Sequence, residues 1–228
     1  MPITTCVFDA YGTLFDVSSA ARLAAQEPDF PHLQDHWERL ADHWRLKQLQ
    51  YTWLRAITDA HSDFWEVTQN SLDWALEACG LAGDPNLRQR LLDLYWQLQA
   101  YPEVGEVLHD LKARGKNIAI LSNGSPDMLD GAVRSAGVGS YLDEILSVES
   151  VGIFKPDARV YDLVGQRFAV PKEEVLFVSS NGWDAAGAAG YGFASAWVNR
   201  LSEPVDRLPW RPDYTLSDLF PIPDLAQG

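Results

Sequence analysis

The chain has 228 residues, of which 46% are hydrophobic and 22% charged, a composition typical of a globular domain and not of a disordered or fibrous protein. Its 18 lysines and arginines stand against 32 aspartates and glutamates, so the net charge of −14 repels polyanions and we expect no nucleic-acid partner. The same field repels a small anionic substrate, which would need local cationic groups at its binding site.

The cysteine content and the first residues of the chain bear on its location. Cys6 and Cys79 are too few for a disulfide framework, and both lie in apolar segments where a thiol packs as a small hydrophobe. The N-terminal residues carry no basic region, and the apolar run ITTCVF is much shorter than the ~20 residues that span a membrane. We therefore expect a soluble cytoplasmic protein with no membrane partner.

Apolar runs that end in polar residues or glycine predict buried strands in chain order. The predicted strands are Ile3 to Phe8, Ile118 to Leu121, Ile145 to Val148, Val175 to Val178 and Ala194 to Val198. Helical patterns alternate with the later strands, at Val104 to Arg114, Pro126 to Ala136, Ala158 to Phe168 and Asp184 to Ala189. Strands that alternate with helices predict an α/β fold with a parallel sheet.

Residues 18–98 break this alternation, since they show helical periodicity and no strand pattern. Apolar residues recur there at the spacings of three to five that an amphipathic helix requires, at Trp37, Leu40, Trp44, Leu49, Trp53 and Ile57. We expect an all-helical insertion whose tryptophans pack against the core.

The tail from Ser202 onward is rich in proline, at positions 204, 209, 212, 221 and 223. Proline favours extended and turn conformations, so we expect this tail to run over the surface.

Polar residues follow three of the predicted strands: Asp9, Ser122 with Asn123, and the segment 179–184. In an open α/β sheet the carboxyl ends of the strands form the ligand site, so these residues and Lys155 are candidates for chemistry. An aspartate there can act as a nucleophile, and a nearby lysine keeps it ionised. Read alone, Asp9 also fits a turn or helix cap, and Ser125 with Pro126 fits a helix start that can also hold an anion.

Five segments together resemble the L-2-haloacid dehalogenases of the haloacid dehalogenase superfamily. They are FDAYGTLFDV (8–17), WRLKQLQYTWLR (44–55), LSNGSP (121–126), FKPDARVY (154–161) and FVSSNGWDAAGA (177–188). The resemblance covers nearly the whole chain and implies a Rossmann-like, three-layer parallel-sheet core of residues 1–17 and 99–228, with an all-helical cap at 18–98. It also implies a homodimer and hydrolytic release of halide from a 2-haloalkanoic acid, with no cofactor and no metal.

The resemblance assigns roles to particular residues. Asp9 matches the nucleophile, Lys155 the lysine beside it, Asp184 the acidic residue that activates water, and Arg45 the cap arginine near the leaving halide. Residues that match the surroundings of the nucleophile are Thr13, Ser179 and Asn181. Substrate-binding positions are matched by Ser122 and Asn123 for the carboxylate, Tyr161 in the polar network, and Tyr11, Leu49, Phe64 and Trp183 in the apolar lining.

Two departures and two alternative functions accompany this assignment. Leu46 stands where a polar residue is expected, which affects the shape of the halide pocket, and Gly182 stands where alanine is common. A phosphomonoesterase of the same superfamily would need a second aspartate where Tyr11 stands, and carboxylates in place of Ser179 to Asn181 to hold Mg²⁺. Halide is a weak base that leaves without a proton or a metal. A non-catalytic carboxylate-binding protein would not need a nucleophile next to a water-activating acid.

Overall fold

A six-stranded parallel sheet forms the centre of the fold in this computed structural model, which describes residues 2–227. The strands are β1 (Thr5–Phe8), β2 (Asn117–Ser122), β3 (Glu144–Ser147), β4 (Val175–Ser179), β5 (Ala194–Val198) and β6 (Tyr214–Leu216), in the spatial order β3-β2-β1-β4-β5-β6. Cys6 pairs with Ile118 on one side and with Leu176 on the other, so β1 lies inside the sheet. The first five strands confirm the predicted runs to within two residues at each end.

Helices flank this sheet, as the α/β prediction required. They are α5 (Val104–Ala113), α6 (Pro126–Ala136), α7 (Ala158–Phe168), α8 (Gly182–Tyr191) and the short α9 (Ile222–Leu225). Sequence signals set their ends: α6 begins with proline and ends at Gly137 with φ 69°, while the Asp157 side chain caps α7 by accepting from Arg159 N.

Four helices fill the stretch between β1 and α5: α1 (Ser19–Ala24), α2 (Trp37–Thr58), α3 (Phe64–Cys79) and α4 (Pro85–Tyr95). We call residues 18–98 the cap; its exact limits stay a prediction. The all-helical character of this insertion is confirmed. Trp44 links two of its helices, since its Nε1 donates to the Thr68 carbonyl at 2.9 Å. No helix within residues 2–227 is long and apolar enough to cross a membrane.

One expectation about burial is wrong, and another holds only in part. The buried face of α2 continues from Trp44 through Gln48 and Thr52, while Ile57 is 81% exposed. The tail runs over the surface as expected from residue 202 to 213, but beyond that β6 extends the sheet, and Leu219 and Ile222 are fully buried. An edge strand needs hydrogen bonds from one neighbour only, so a strand as short as β6 leaves little signal in the sequence.

Candidate active site

The predicted site residues from the core meet at the carboxyl edge of the sheet. Asp9 follows β1, Ser122 ends β2, and Asn181 lies two residues beyond β4. Because β1 lies between β2 and β4, the parallel topology brings these residues together around Asp9.

Both carboxylate oxygens of Asp9 are held by side chains. Lys155 Nζ donates to Asp9 Oδ1 at 3.1 Å. Asp9 Oδ2 accepts from Thr13 Oγ1 at 3.0 Å and from Asn181 Nδ2 at 2.9 Å. Asp9 is therefore fixed in orientation and kept next to a cation, as a nucleophilic carboxylate requires.

Lys155 also joins Asp9 to a second buried carboxylate, that of Asp184. Its Nζ donates to Asp184 Oδ2 at 2.9 Å, and Tyr161 OH donates to Asp184 Oδ1 at 2.8 Å. Lys155, Asp184 and Tyr161 are each at most 1% exposed. Asp184 is thus hydrogen-bonded on both of its carboxylate oxygens.

This burial shifts the pKa values of the cluster. Burial alone lowers the pKa of Lys155, but the charges of Asp184 and Asp9 outweigh it, and the pKa lies above its ordinary value. Burial raises the pKa of Asp184, and the charge of Asp9 adds to this, although Lys155 opposes both. Burial and the neighbouring Asp184 raise the pKa of Tyr161, so its hydroxyl remains a donor.

Arg45 reaches the site from α2 of the cap. Its Nη2 atom donates to the Tyr11 carbonyl and to Asn181 Oδ1, both at 3.0 Å. Since Asn181 in turn donates to Asp9, Arg45 fixes the orientation of the amide that holds the nucleophile. Arg45 thus contacts the core next to Asp9, while its place near a leaving halide stays a prediction.

Gln48 is a buried neighbour of Arg45 that sequence reasoning missed. Its Oε1 accepts from Arg45 Nη1 at 3.0 Å, and its Nε2 donates to Thr68 Oγ1 and Tyr95 OH at 2.9 and 3.0 Å. A polar residue three positions after Arg45, on the apolar face of α2, is the signal that would have identified it.

The remaining polar candidates support the loops of the site and do not touch Asp9. Ser179 Oγ accepts from Asn181 N at 3.1 Å, and Ser122 Oγ accepts from Gly124 N at 3.0 Å. The Asn123 side chain accepts from Lys155 N at 3.0 Å and so fixes the lysine segment. The Ser122 hydroxyl keeps its proton available for a ligand.

Aromatic side chains cover the polar cluster. The Tyr11 ring lies 5.5 Å from the Phe64 ring and 5.7 Å from the Tyr95 ring. Burial raises the pKa of Tyr11, and its hydroxyl has no hydrogen-bond partner within residues 2–227. An orphaned buried donor beside Asp9 is suited to a bound ligand.

The other lining candidates lie farther out. Trp183 packs edge-on against Trp53 of the cap, with ring centres 5.4 Å apart, and Leu49 is half-buried on α2. Leu46 is 50% exposed on the outer side of α2, so its replacement of a polar residue leaves the inside of the site unaffected. Trp53 and Trp183 also line a cleft of about 660 Å³ that is open to solvent and whose lining does not include Asp9.

Gly187 allows the close packing that places Tyr161. A Cβ atom at this position would lie 2.8 Å from Tyr161 OH and 2.9 Å from Pro156 Cβ. A larger residue would push α7 away from α8 and with it the donor to Asp184.

Two cations, Lys155 and Arg45, therefore lie close to two carboxylates, Asp9 and Asp184, and all of these except the half-buried Arg45 are buried. The arrangement offers an oriented nucleophile, a second carboxylate with a raised pKa that can act as a base, and a cation that the cap supplies. It is suited to displacement through a covalent intermediate followed by hydrolysis of that intermediate.

Comparison with known proteins identifies the class. The haloacid dehalogenase-like hydrolase family matches residues 3–192. The chain belongs to this family.

Its relatives within the family are more specific. It is 42% identical to (S)-2-haloacid dehalogenase 1 of Pseudomonas sp. strain CBS-3, over 98% of this chain and 96% of that one. It is 38% identical to (S)-2-haloacid dehalogenase 4A of Burkholderia cepacia, over 96% and 94% of the two chains. The solved structure of L-2-haloacid dehalogenase from Xanthobacter autotrophicus with chloropropionic acid covalently bound superposes with a TM-score of 0.86 at 36% identity, covering 99% of each chain. The resemblance and the fold class read from the sequence motifs are confirmed.

Proposed function

We propose that this protein hydrolyses (S)-2-haloalkanoic acids to (R)-2-hydroxyalkanoic acids and halide. The observation that carries the proposal is Asp9, whose two oxygens are held by Lys155 on one side and by Thr13 and Asn181 on the other. The similarity to (S)-2-haloacid dehalogenases supports the choice of substrate.

In the first step Asp9 attacks C2 of the substrate. Ser122, Asn123 and the amides at the start of α6 hold the substrate carboxylate, since that helix start has no side-chain cap to occupy its amides. The new bond joins an Asp9 oxygen to C2 while the C2–halogen bond breaks on the opposite face, so the configuration at C2 inverts. The halide leaves towards Arg45, and Tyr11, Leu49, Phe64 and Trp183 line its apolar surroundings.

In the second step water hydrolyses the Asp9 ester. Asp184 takes a proton from the water, whose oxygen attacks Cγ of Asp9, and Ser179 and Asn181 help to orient it. The bond between Cγ and the ester oxygen then breaks, and the departing oxygen takes the proton held by Asp184, so the hydroxy acid leaves with that oxygen. The other proton of the water is released to solvent as Asp9 returns to its carboxylate form. The raised pKa of Asp184 makes it a stronger base than an ordinary aspartate, and Tyr161 keeps it in place.

Neither step calls for a metal or a cofactor. The halide needs no acid, and Tyr11 occupies the place where phosphate-transferring relatives carry a second aspartate. We therefore propose that halide release continues in EDTA, whereas a phosphomonoesterase of this fold would need Mg²⁺.

An isotope experiment tests the ester route. A single turnover in H₂¹⁸O with enzyme in excess should place ¹⁸O in Asp9 and not in the product, because the product oxygen comes from the carboxylate. Multiple turnovers should then carry the label into product. Label in the first product molecule would show direct attack of water on C2.

We further propose that the protein is a cytoplasmic homodimer whose cap spans residues 18–98. The exposed apolar side chains of Leu46, Leu54 and Ile57 on α2 support a contact between cap helices. Light scattering should give twice the mass of 25.5 kDa, and Leu54→Glu should shift it towards the monomer. A monomeric wild type would contradict the proposal, and cell fractionation tests the location.

A further inference from the structure

The reaction centre is closed in this structure. Asp9 is 6% exposed, and Lys155 and Asp184 are at most 1% exposed. Arg45 contacts Asn181 and Tyr11, and Phe64 packs on Tyr11, so the cap covers Asp9 and these contacts must open to admit a substrate. The free energy of cap closure therefore contributes to the affinity of the site for its substrate.

Glu149 of the core contacts the cap at the turn between α2 and α3. It lies in the segment after β3, and its Oε2 atom is 2.9 Å from Nε2 of His61 in the cap. Its Oε1 atom accepts a hydrogen bond from the backbone amide of Phe64 at 3.3 Å. One core carboxylate thus binds a cap side chain and the cap backbone at once.

The start of a helix is a favourable place for this carboxylate. Phe64 is the first residue of α3, and the amide of a first helical residue has no partner within its own helix. Asp63 caps the same helix but accepts from Glu66 N, which leaves the Phe64 amide to Glu149. The helix dipole adds to the attraction of a negative charge at this end.

The segment that Glu149 anchors forms a wall of the reaction centre. Phe64 is 1% exposed and its ring lies 5.5 Å from Tyr11 and 6.3 Å from Phe154. The His61 ring packs 4.7 Å from Phe154, the residue before Lys155. Displacement of this segment would open the aromatic cover next to the lysine.

We propose that Glu149 is a positioning residue which, together with His61, latches the cap in its closed position and so sets the affinity of the site for substrate. We call this contact the Glu149–His61 latch. It does not touch Asp9, and its role in substrate binding rests on the proposed function. Weakening the latch lowers the fraction of closed protein, and the apparent affinity falls by the same factor.

Steady-state kinetics of halide release test the latch. Glu149→Ala should raise KM about 10-fold and leave kcat within twofold, because the substrate still drives closure at saturation. His61→Phe, which keeps the ring against Phe154, should raise KM by a smaller factor. It should add nothing in the Glu149→Ala background, since His61 acts through Glu149. The matched control is Glu144→Gln, which breaks the core surface pair with Arg167 and should leave KM unchanged.

Hydrogen–deuterium exchange tests the same contact without any turnover. In Glu149→Ala, peptides that cover residues 59–68 should exchange about 10-fold faster, while those from β1 and β4 keep the wild-type rate. A wild type that releases no halide would refute the proposed function, and the exchange result alone would then decide the latch. Unchanged KM, a loss confined to kcat or to thermal stability, or unchanged exchange at 59–68 would overturn the latch.

Discussion

Replacement of Lys155 by methionine removes a cation that lies between two buried carboxylates. Lys155 Nζ is 3.1 Å from Asp9 Oδ1 and 2.9 Å from Asp184 Oδ2, and all three side chains are at most 9% exposed. Loss of one partner from a buried ion pair costs about 3–5 kcal/mol. Two unit charges 4 Å apart at an effective dielectric constant of 20 interact by about 4 kcal/mol, which agrees in size. We therefore expect Lys155→Met to lower the free energy of unfolding by about 3–5 kcal/mol at pH 8.

The loss should depend on pH. Lys155 is the group that lowers the pKa of Asp184 against burial and the charge of Asp9. Without it, the folded-state pKa of Asp184 rises further above the unfolded value of about 3.9. A group whose pKa is higher in the folded than in the unfolded protein stabilises the fold fully at pH values below its unfolded pKa. This stabilisation is lost as the pH rises through the folded-state pKa. The deficit of Lys155→Met should thus be smaller at pH 5 than at pH 8. The wild-type Lys155, whose pKa is raised, stays charged at both values.

Urea unfolding at pH 5 and pH 8 measures both effects, with Lys112→Met as the matched control. Lys112 pairs with Asp143 on the surface, with side chains 40% and 31% exposed, and its loss should cost less than about 1 kcal/mol. Halide release by Lys155→Met should fall about 10²–10³-fold, because the donor that orients Asp9 and offsets negative charge beside it is lost. An equal deficit at both pH values would assign the loss to packing, and wild-type stability would refute the role of the ion pairs.

Three further predictions follow from the site. Since burial raises the pKa of Asp184, the acid limb of single-turnover ester hydrolysis should lie above the ordinary aspartate pKa of about 3.9. An acid limb at that ordinary value would contradict this. Arg45→Lys keeps the charge but loses the planar guanidinium that binds Gln48 and Asn181, so kcat/KM for halide release should fall about 10–100-fold. An unchanged kcat/KM would exclude a role for these hydrogen bonds in catalysis. Burial raises the pKa of the Cys6 thiol to about 12, so a thiol reagent at neutral pH should label Cys6 only after the protein unfolds. Peptide mass spectrometry measures this labelling, and labelling of the native protein would contradict the burial of Cys6.

Local patterns in the sequence predicted most of the core strands. The apolar runs at β1, β2, β4 and β5 are continuous because both faces of these strands are buried, and burial on both faces leaves a signal that needs no knowledge of the partner strand. The residues after these runs gave Asp9, Ser122 and Asn181 as candidates, because parallel strands bring their carboxyl ends to one edge. Their assigned roles came from the resemblance to a family and await the experiments above.

Other features leave no local signal, since they depend on where distant segments meet. Arg45 was recognised in the sequence, but its cap partner Gln48 was not, because the burial of Gln48 depends on α3 and Tyr95, which cover that side of α2. Ile57 follows the apolar spacing of α2 but lies beyond the part that another helix covers, and is exposed.

The sequence by itself determined the parallel α/β core, the helical insertion and the identity of the residues around Asp9. The tertiary structure alone decided that Lys155 joins two carboxylates, that Glu149 meets His61 across 88 positions of the chain, and that β6 completes the sheet. The physical reason is that the local order of apolar and polar residues predicts which residues are buried, whereas a pairing of charges depends on how helices and strands pack in space.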